Sequence, residues 1–197
     1  MNSDYIYSRR SIRKFSDKPV PKEIIEQILD AGRVAPSAKN RQPWKYIVFG
    51  GKQKDDLLNC MEKGVAREEL EPMLPNSSRG ITDCKNTLRI MREAPIIIIV
   101  LNTNGNSPFI EINCDDRITE ICDTLSIGAS IENILLKSTE IGIGTLWIAN
   151  TCFAYPELTA FLDTGHQLVG AIALGYSGET PSARPRKTAS DIIEYRM

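Results

Sequence analysis

Near the N-terminus, RRSIRKF (residues 9–15) places Arg9, Arg10, Ser11, Arg13 and Lys14 within seven positions. Two further donor-rich stretches follow far along the chain, PSAKNRQPW (36–44) and SARPRK (182–187). Arginine's planar fork suits bidentate contact with phosphate and with ring carbonyls. Asn and Gln donate and accept together, as reading the edge of a heteroaromatic ring requires. Taken together, the three stretches are chemistry for holding a flat, phosphorylated cofactor.

Conventional catalytic machinery is absent from the sequence. The one histidine, His166, opens an apolar stretch, and no G-x-S-x-G motif or nearby Cys/His pair supplies an activated nucleophile. GIGTLW (142–147) begins like a dinucleotide fingerprint, but Trp147 stands where the third glycine belongs and the segment follows a helix instead of opening one. Five widely spaced cysteines with no C-x-x-C pair argue against a disulfide framework, a zinc site and an iron–sulfur cluster. No metal site is expected.

Lys plus Arg (24) nearly balance Asp plus Glu (25), which excludes a global basic field for nucleic acid or anionic lipid, so anion binding has to be local. The longest apolar run, PIIIIVL (95–101), is far below the roughly 20 residues of a transmembrane helix. The N-terminus has no apolar core of a secretory signal, and the expected location is the cytoplasm. At 197 residues the chain is read as one domain, 1–197.

The elements that must position these groups follow from patterning. A proline at the first turn and apolar residues at Ile24, Ile25, Ile28 and Leu29 predict an amphipathic helix over about 21–34. WKYIVFGG predicts a strand over about 44–49, 52–94 reads as mostly helical with a Pro/Asn/Gly break at 71–80, and APIIIIVL reads as a buried strand. A long helix is expected over about 117–140, apolar nearly all round and therefore central. Its small residues at 126 and 128–130 leave room for another backbone or a flat ligand. GTLWIA and HQLVGAIALGY predict strands either side of a short helix. Without regular β-α alternation the class is α+β.

In chain order, R-R-S-x-R, then A-P-S-x-x-N-x-Q-P-W, then E-N-x-L-L followed by G-x-G-T-x-W, then L-G-Y with R-P-R resemble the nitroreductase family over most of the sequence. The resemblance implies an α+β fold with a central, mostly antiparallel sheet flanked by helices, in an interlocked homodimer with FMN at the subunit interface. Arg9, Arg10 and Ser11 would hold the phosphate and ribityl side, Arg13 the N1/C2 carbonyl edge of the ring, and Arg184 and Arg186 would close on the phosphate. Pro36, Ser37 and Asn40 would reach the FMN bound mainly by the other subunit. Gln42 either joins them or only fixes the loop. Trp147, Ile148 and Ala149 would pass the flavin with their backbone.

The implied activity is hydride transfer from NAD(P)H through flavin N5 to a nitroaromatic, quinone or similar small acceptor in a ping-pong cycle, with no catalytic side chain required. The alternatives are a specialised flavoenzyme of the same fold, a dehalogenase or a flavin-fragmenting enzyme, and a non-enzymatic anion- or nucleic-acid-binding module. Glu132 and Asn133 read as helix packing and capping groups.

Overall fold

A computed structural model describes residues 4–197. At its centre lies a four-stranded sheet in the order β1 (Trp44–Gly50), β2 (Ile96–Asn102), β4 (Gln167–Gly175), β3 (Gly144–Ile148), every neighbouring pair antiparallel. β2 is an unbroken apolar run because both its faces are covered. Ile97, Ile99 and Leu101 join one core, and Ile98 and Val100 the other, as the two-residue period of a strand dictates.

The first core is closed by α3 (Gly51–Leu70), α4 (Ile81–Glu93) and α6 (Tyr155–Phe161), and the second by α2 (Lys22–Arg33) and α5 (Cys114–Glu140). The α+β class with an antiparallel sheet and flanking helices is therefore as expected. Observed boundaries match the predicted ones to within a few residues. α5 starts at Cys114, somewhat before the expected 117, because Asn113 caps it by accepting from the Asp116 N–H at 2.9 Å.

One expectation about α5 needs correction. The helix is not covered all round: Ile127, Ile131 and Ile134 are fully buried, but Ile118, Ile121 and Leu125 stand 53–70% exposed on one face. Its small-residue side does receive another backbone. Ser130 Oγ donates to the Gly32 carbonyl at 2.6 Å, and a Cβ at Gly32 would sit 2.7 Å from the Ile134 side chain, so α2 can lie this close only with glycine there.

After the short α1 (Tyr5–Ser8), the N-terminal basic segment is tied to the sheet at both its ends. Ser11 bridges Thr145 at the start of β3, and the Ile12 N–H donates to the Thr145 carbonyl at 2.9 Å. Phe15 bridges Ser177 just past β4, supported by Ser16 N–H to the Tyr176 carbonyl (2.9 Å) and Gly178 N–H to the Lys14 carbonyl (2.8 Å). Beyond β4 the chain runs exposed through 182–188 into α7 (Ala189–Ile192).

Candidate functional site

Because residues 11–16 are pinned beside the start of β3 and the stretch just past β4, residues about 170 positions apart face one cavity. It has a volume of about 460 Å³, and its lining includes Arg9, Arg10, Arg13, Arg184 and Arg186. Ser11 lies among them. Six of the residues expected to grip a phosphorylated ligand are thus brought together here.

The charge in this cavity is nearly uncompensated. Arg10 donates to the carbonyls of Tyr7 and Arg9 at 2.7 Å, Arg13 to that of Ser11 at 3.2 Å, and Arg186 to those of Arg184 and Pro185 at 3.2 Å. Among the described residues no carboxylate pairs with the guanidinium of Arg10, Arg13, Arg184 or Arg186, and Arg9 alone has an ion-pair partner, Glu132 at 3.2 Å. The Arg9 Nε is buried with no hydrogen-bond partner. A buried, unsatisfied donor on a cation is costly unless an acceptor arrives.

The remaining expected residues do not line this cavity. Ser37, Asn40 and Gln42 lie on the loop between α2 and β1, packed against the N-terminal half of α5, where the Ala38 N–H donates to Ser126 Oγ at 3.2 Å. Pro36 lies near the start of this loop. Trp147 is 45% exposed on edge strand β3, whereas the Ile148 side chain is buried in the first core, so only its backbone can meet a ligand. Ala149 follows at the strand's end. Asn133 packs as expected, donating to the Ala31 carbonyl at 3.1 Å.

Sequence reasoning missed several contributors. Ile6, Tyr7 and Pro181–Ala183 line the cavity, and the Glu179 carboxylate anchors the Arg13 N–H at 2.5 Å. Glu132 does more than pack the helix, since it meets Arg9. In the sequence, the run ETPSARPRK held the only signal for this second wall.

His166 belongs elsewhere. It lines a larger cavity of about 700 Å³ together with Met73, Phe109 and Tyr155, at the Gln167 end of β4. The arginine cavity is beyond the Gly175 end, roughly 25 Å away along the strand. Nor is the Cys84 thiol poised for attack: burial and the neighbouring Cys152 push it up to about 12.

The nitroreductase family profile matches residues 6–176, nearly the whole of this architecture, and the chain belongs to that family. It is 33% identical over 143 residues to an Archaeoglobus fulgidus protein with the provisional name NADH dehydrogenase/NAD(P)H nitroreductase, a match covering 73% of this chain and 64% of the relative. It thus spans just under two thirds of that relative's length. With the provisionally named NAD(P)H nitroreductase YfhC of Bacillus subtilis it shares 28% identity, over 95% of this chain and 90% of the relative. Among solved structures, the FMN-dependent nitroreductase NfnB from Mycobacterium smegmatis in complex with NADPH superposes with a TM-score of 0.75 at 20% identity, covering 98% of this chain and 96% of that one, a likeness of fold.

Proposed function

We propose that this chain is an FMN-dependent oxidoreductase that passes electrons from NAD(P)H to a nitroaromatic, quinone or similar small acceptor, each occupying the same site in turn. One observation carries the reading: arginines from two segments far apart in the chain converge on one cavity, and among the described residues four of the five have no carboxylate partner. A monophosphate is doubly charged and accepts through three oxygens, which matches an excess of guanidinium donors and the buried, unsatisfied Arg9 Nε.

The donor set fits FMN. Arg9, Arg10, Ser11, Arg184 and Arg186 would hold the phosphate and ribityl end, and Arg13 would meet the carbonyl edge of the ring. Pro36, Ser37, Asn40 and Gln42 would approach from a second copy of the chain, because within one copy they lie away from the arginine cavity. The backbone of Trp147, Ile148 and Ala149 would border the ring. Bound FMN supplies a two-electron carrier, which none of the side chains in this site can provide.

The homodimer in this reading is supported by Ile118, Ile121 and Leu125. They share the exposed face of α5 and form an apolar stripe of the sort that marks an interface. Among the described residues no helix is long and apolar enough to cross a membrane. The proposed setting is the cytoplasm, as one domain.

The purified protein should be yellow, release about one FMN per chain on denaturation, and sediment as a dimer. A colourless protein that gains no FMN on reconstitution would overturn the cofactor reading. A flavin-loaded monomer would overturn the shared site.

A further inference from the structure

The loop between α2 and β1 has an unfavourable shape, and a buried carboxylate is among the groups that tie it down. Lys39, Asn40 and Gln42 all have positive φ (53°, 54° and 49°), a region that side-chain-bearing residues enter rarely and that persists only where the surroundings impose it. Within the loop the Gln42 N–H donates to Ser37 Oγ at 3.1 Å, and from outside it the loop is gripped by Asp123 on α5, whose side chain is wholly buried. Its Oδ1 accepts from Arg41 Nε at 2.8 Å and lies 2.7 Å from Arg41 Nη2, while Oδ2 accepts from Asn104 Nδ2 at 3.1 Å.

A second anchor lies one helical turn on. Ser126 Oγ donates to the Cys122 carbonyl at 2.7 Å and accepts from the Ala38 N–H at 3.2 Å. Asn104 in turn follows Thr103, whose N–H donates to the Pro43 carbonyl at 2.7 Å. The loop is therefore fixed at residues 38, 41 and 43.

Between those fixed points the two amide side chains are left facing outward. Asn40 is exposed, and Gln42 Nε2 donates to Asn40 Oδ1 at 3.1 Å, which sets the direction of both amides. A fold with no use for this shape could relax it at low cost by replacing Asp123 and Arg41 with apolar residues, since a buried ion pair is seldom a net source of stability. Strain retained around an outward-facing amide pair points instead to recognition.

We propose that Asp123 is a positioning residue: through Arg41 and Asn104 it holds the 38–42 loop so that Asn40 and Gln42 present their amides to the cofactor ring. This rests on the reading above, in which the loop of one copy meets the FMN held by the other.

FMN titrated into the full chain after removal of its flavin tests the idea, with Asp123→Asn, Asn40→Ala and the double variant compared. Asp123→Asn keeps the shape of the side chain but weakens its hold on Arg41. The dissociation constant should rise roughly tenfold, the loss of one charge-assisted hydrogen bond's worth of order in the loop. The visible circular dichroism of the bound flavin should change, a readout that a merely structural role would not move, while the flavin-free protein should unfold at a lower temperature because Arg41 loses its buried partner. The double variant should bind no more weakly than the weaker single one.

If Asp123→Asn does not fold, Ser126→Ala removes the other anchor and should give the same pattern. Multiplying effects in the double variant, or a loss in Asp123→Asn with none in Asn40→Ala, would overturn the proposal, since Asp123 would then act on the flavin by another route. A loss in Asn40→Ala with none in Asp123→Asn would overturn it while leaving the cofactor reading intact. No loss in either would remove both the proposal and the placing of this loop at the flavin.

Discussion

Arg9 and Glu132 meet as an ion pair, with Nε 3.2 Å from Oε1, but the contact does not satisfy the buried Nε as a hydrogen bond. Glu132 is also 43% exposed, so solvent screens it, and such pairs contribute about 0–1 kcal/mol. Glu132 therefore orients Arg9 without neutralising it strongly, and an arriving phosphate can compete for the guanidinium.

From this follows an asymmetry between the partners. Arg9→Gln should weaken FMN binding by roughly tenfold or more, as expected for losing a charge-assisted hydrogen bond of about 1.5–3 kcal/mol. Glu132→Gln should leave binding within about threefold of the parent or tighten it, because only a screened competitor is removed. Flavin fluorescence titrations of both variants check this. Equal weakening would mean that the orientation given by Glu132 matters as much as the charge it holds.

A second prediction concerns acid stability. Glu68 is buried, and burial pushes its carboxyl up, but the N–H groups of Leu74 (2.9 Å) and Met73 (3.0 Å) and the Arg67 guanidinium outweigh this and leave it below its ordinary value. Glu157 is lowered as well, first of all by its hydrogen bond with Arg67. A carboxyl lowered on folding stabilises the folded state above its unfolded value of about 4.3, and that contribution disappears as pH falls through the lower, folded value. Stability should thus drop steeply below about pH 4.3. Glu68→Gln should cost about 1–3 kcal/mol at neutral pH and flatten that drop. Urea unfolding across the acid range measures both, and an unchanged pH slope in Glu68→Gln would exclude Glu68 as a source.

Packing at Gly64 gives a third. A Cβ there would lie 2.4 Å from the Ala154 Cβ and 2.7 Å from its Cα, which is backbone and cannot swing aside. Gly64→Ala gains helix propensity in α3, roughly 1 kcal/mol. The forced separation of α3 from Ala154 should exceed that gain, giving a net loss of about 1–2 kcal/mol in chemical denaturation. A stabilised variant would show that α3 can move away freely.

How far the sequence could be read depended on whether a residue's role is local. The arginines of RRSIRKF and RPRK are recognisable by type, and the buried β2 run and the periodicity of α2 are visible in a short window. The acidic partners were not legible. Glu132, Glu179 and Asp123 meet Arg9, Arg13 and Arg41 across 123, 166 and 82 positions, and nothing local distinguishes them from solvated carboxylates. Periodicity marked Ile118, Ile121 and Leu125 as apolar, but could not say that they stand exposed. The positive φ at Lys39 and Gln42 was equally hidden, because neither residue favours that region and the outside anchors of the loop, Thr103, Asp123 and Ser126, lie some 60 positions or more along the chain.

Arg13 should differ from Arg9 in what its loss changes. Both line the same cavity, but the Arg13 backbone is fixed by Glu179 at 2.5 Å and its guanidinium reaches only the Ser11 carbonyl at 3.2 Å, so it is free to meet the ring edge as proposed. A cation beside the N1/C2 carbonyl edge stabilises the reduced, more negative ring over the oxidised one, whereas a cation on the phosphate meets the same charge in both states. Only the first shifts the potential. With a charge-assisted hydrogen bond worth about 1.5–3 kcal/mol more in the reduced state, Arg13→Gln should lower the two-electron potential by roughly 30–65 mV. Arg9→Gln should weaken FMN binding with little change in potential. Reductive titration of each flavin-loaded variant against a reference dye decides between them: equal shifts, or a shift in the Arg9 variant alone, would reverse the assignment of which arginine faces the ring.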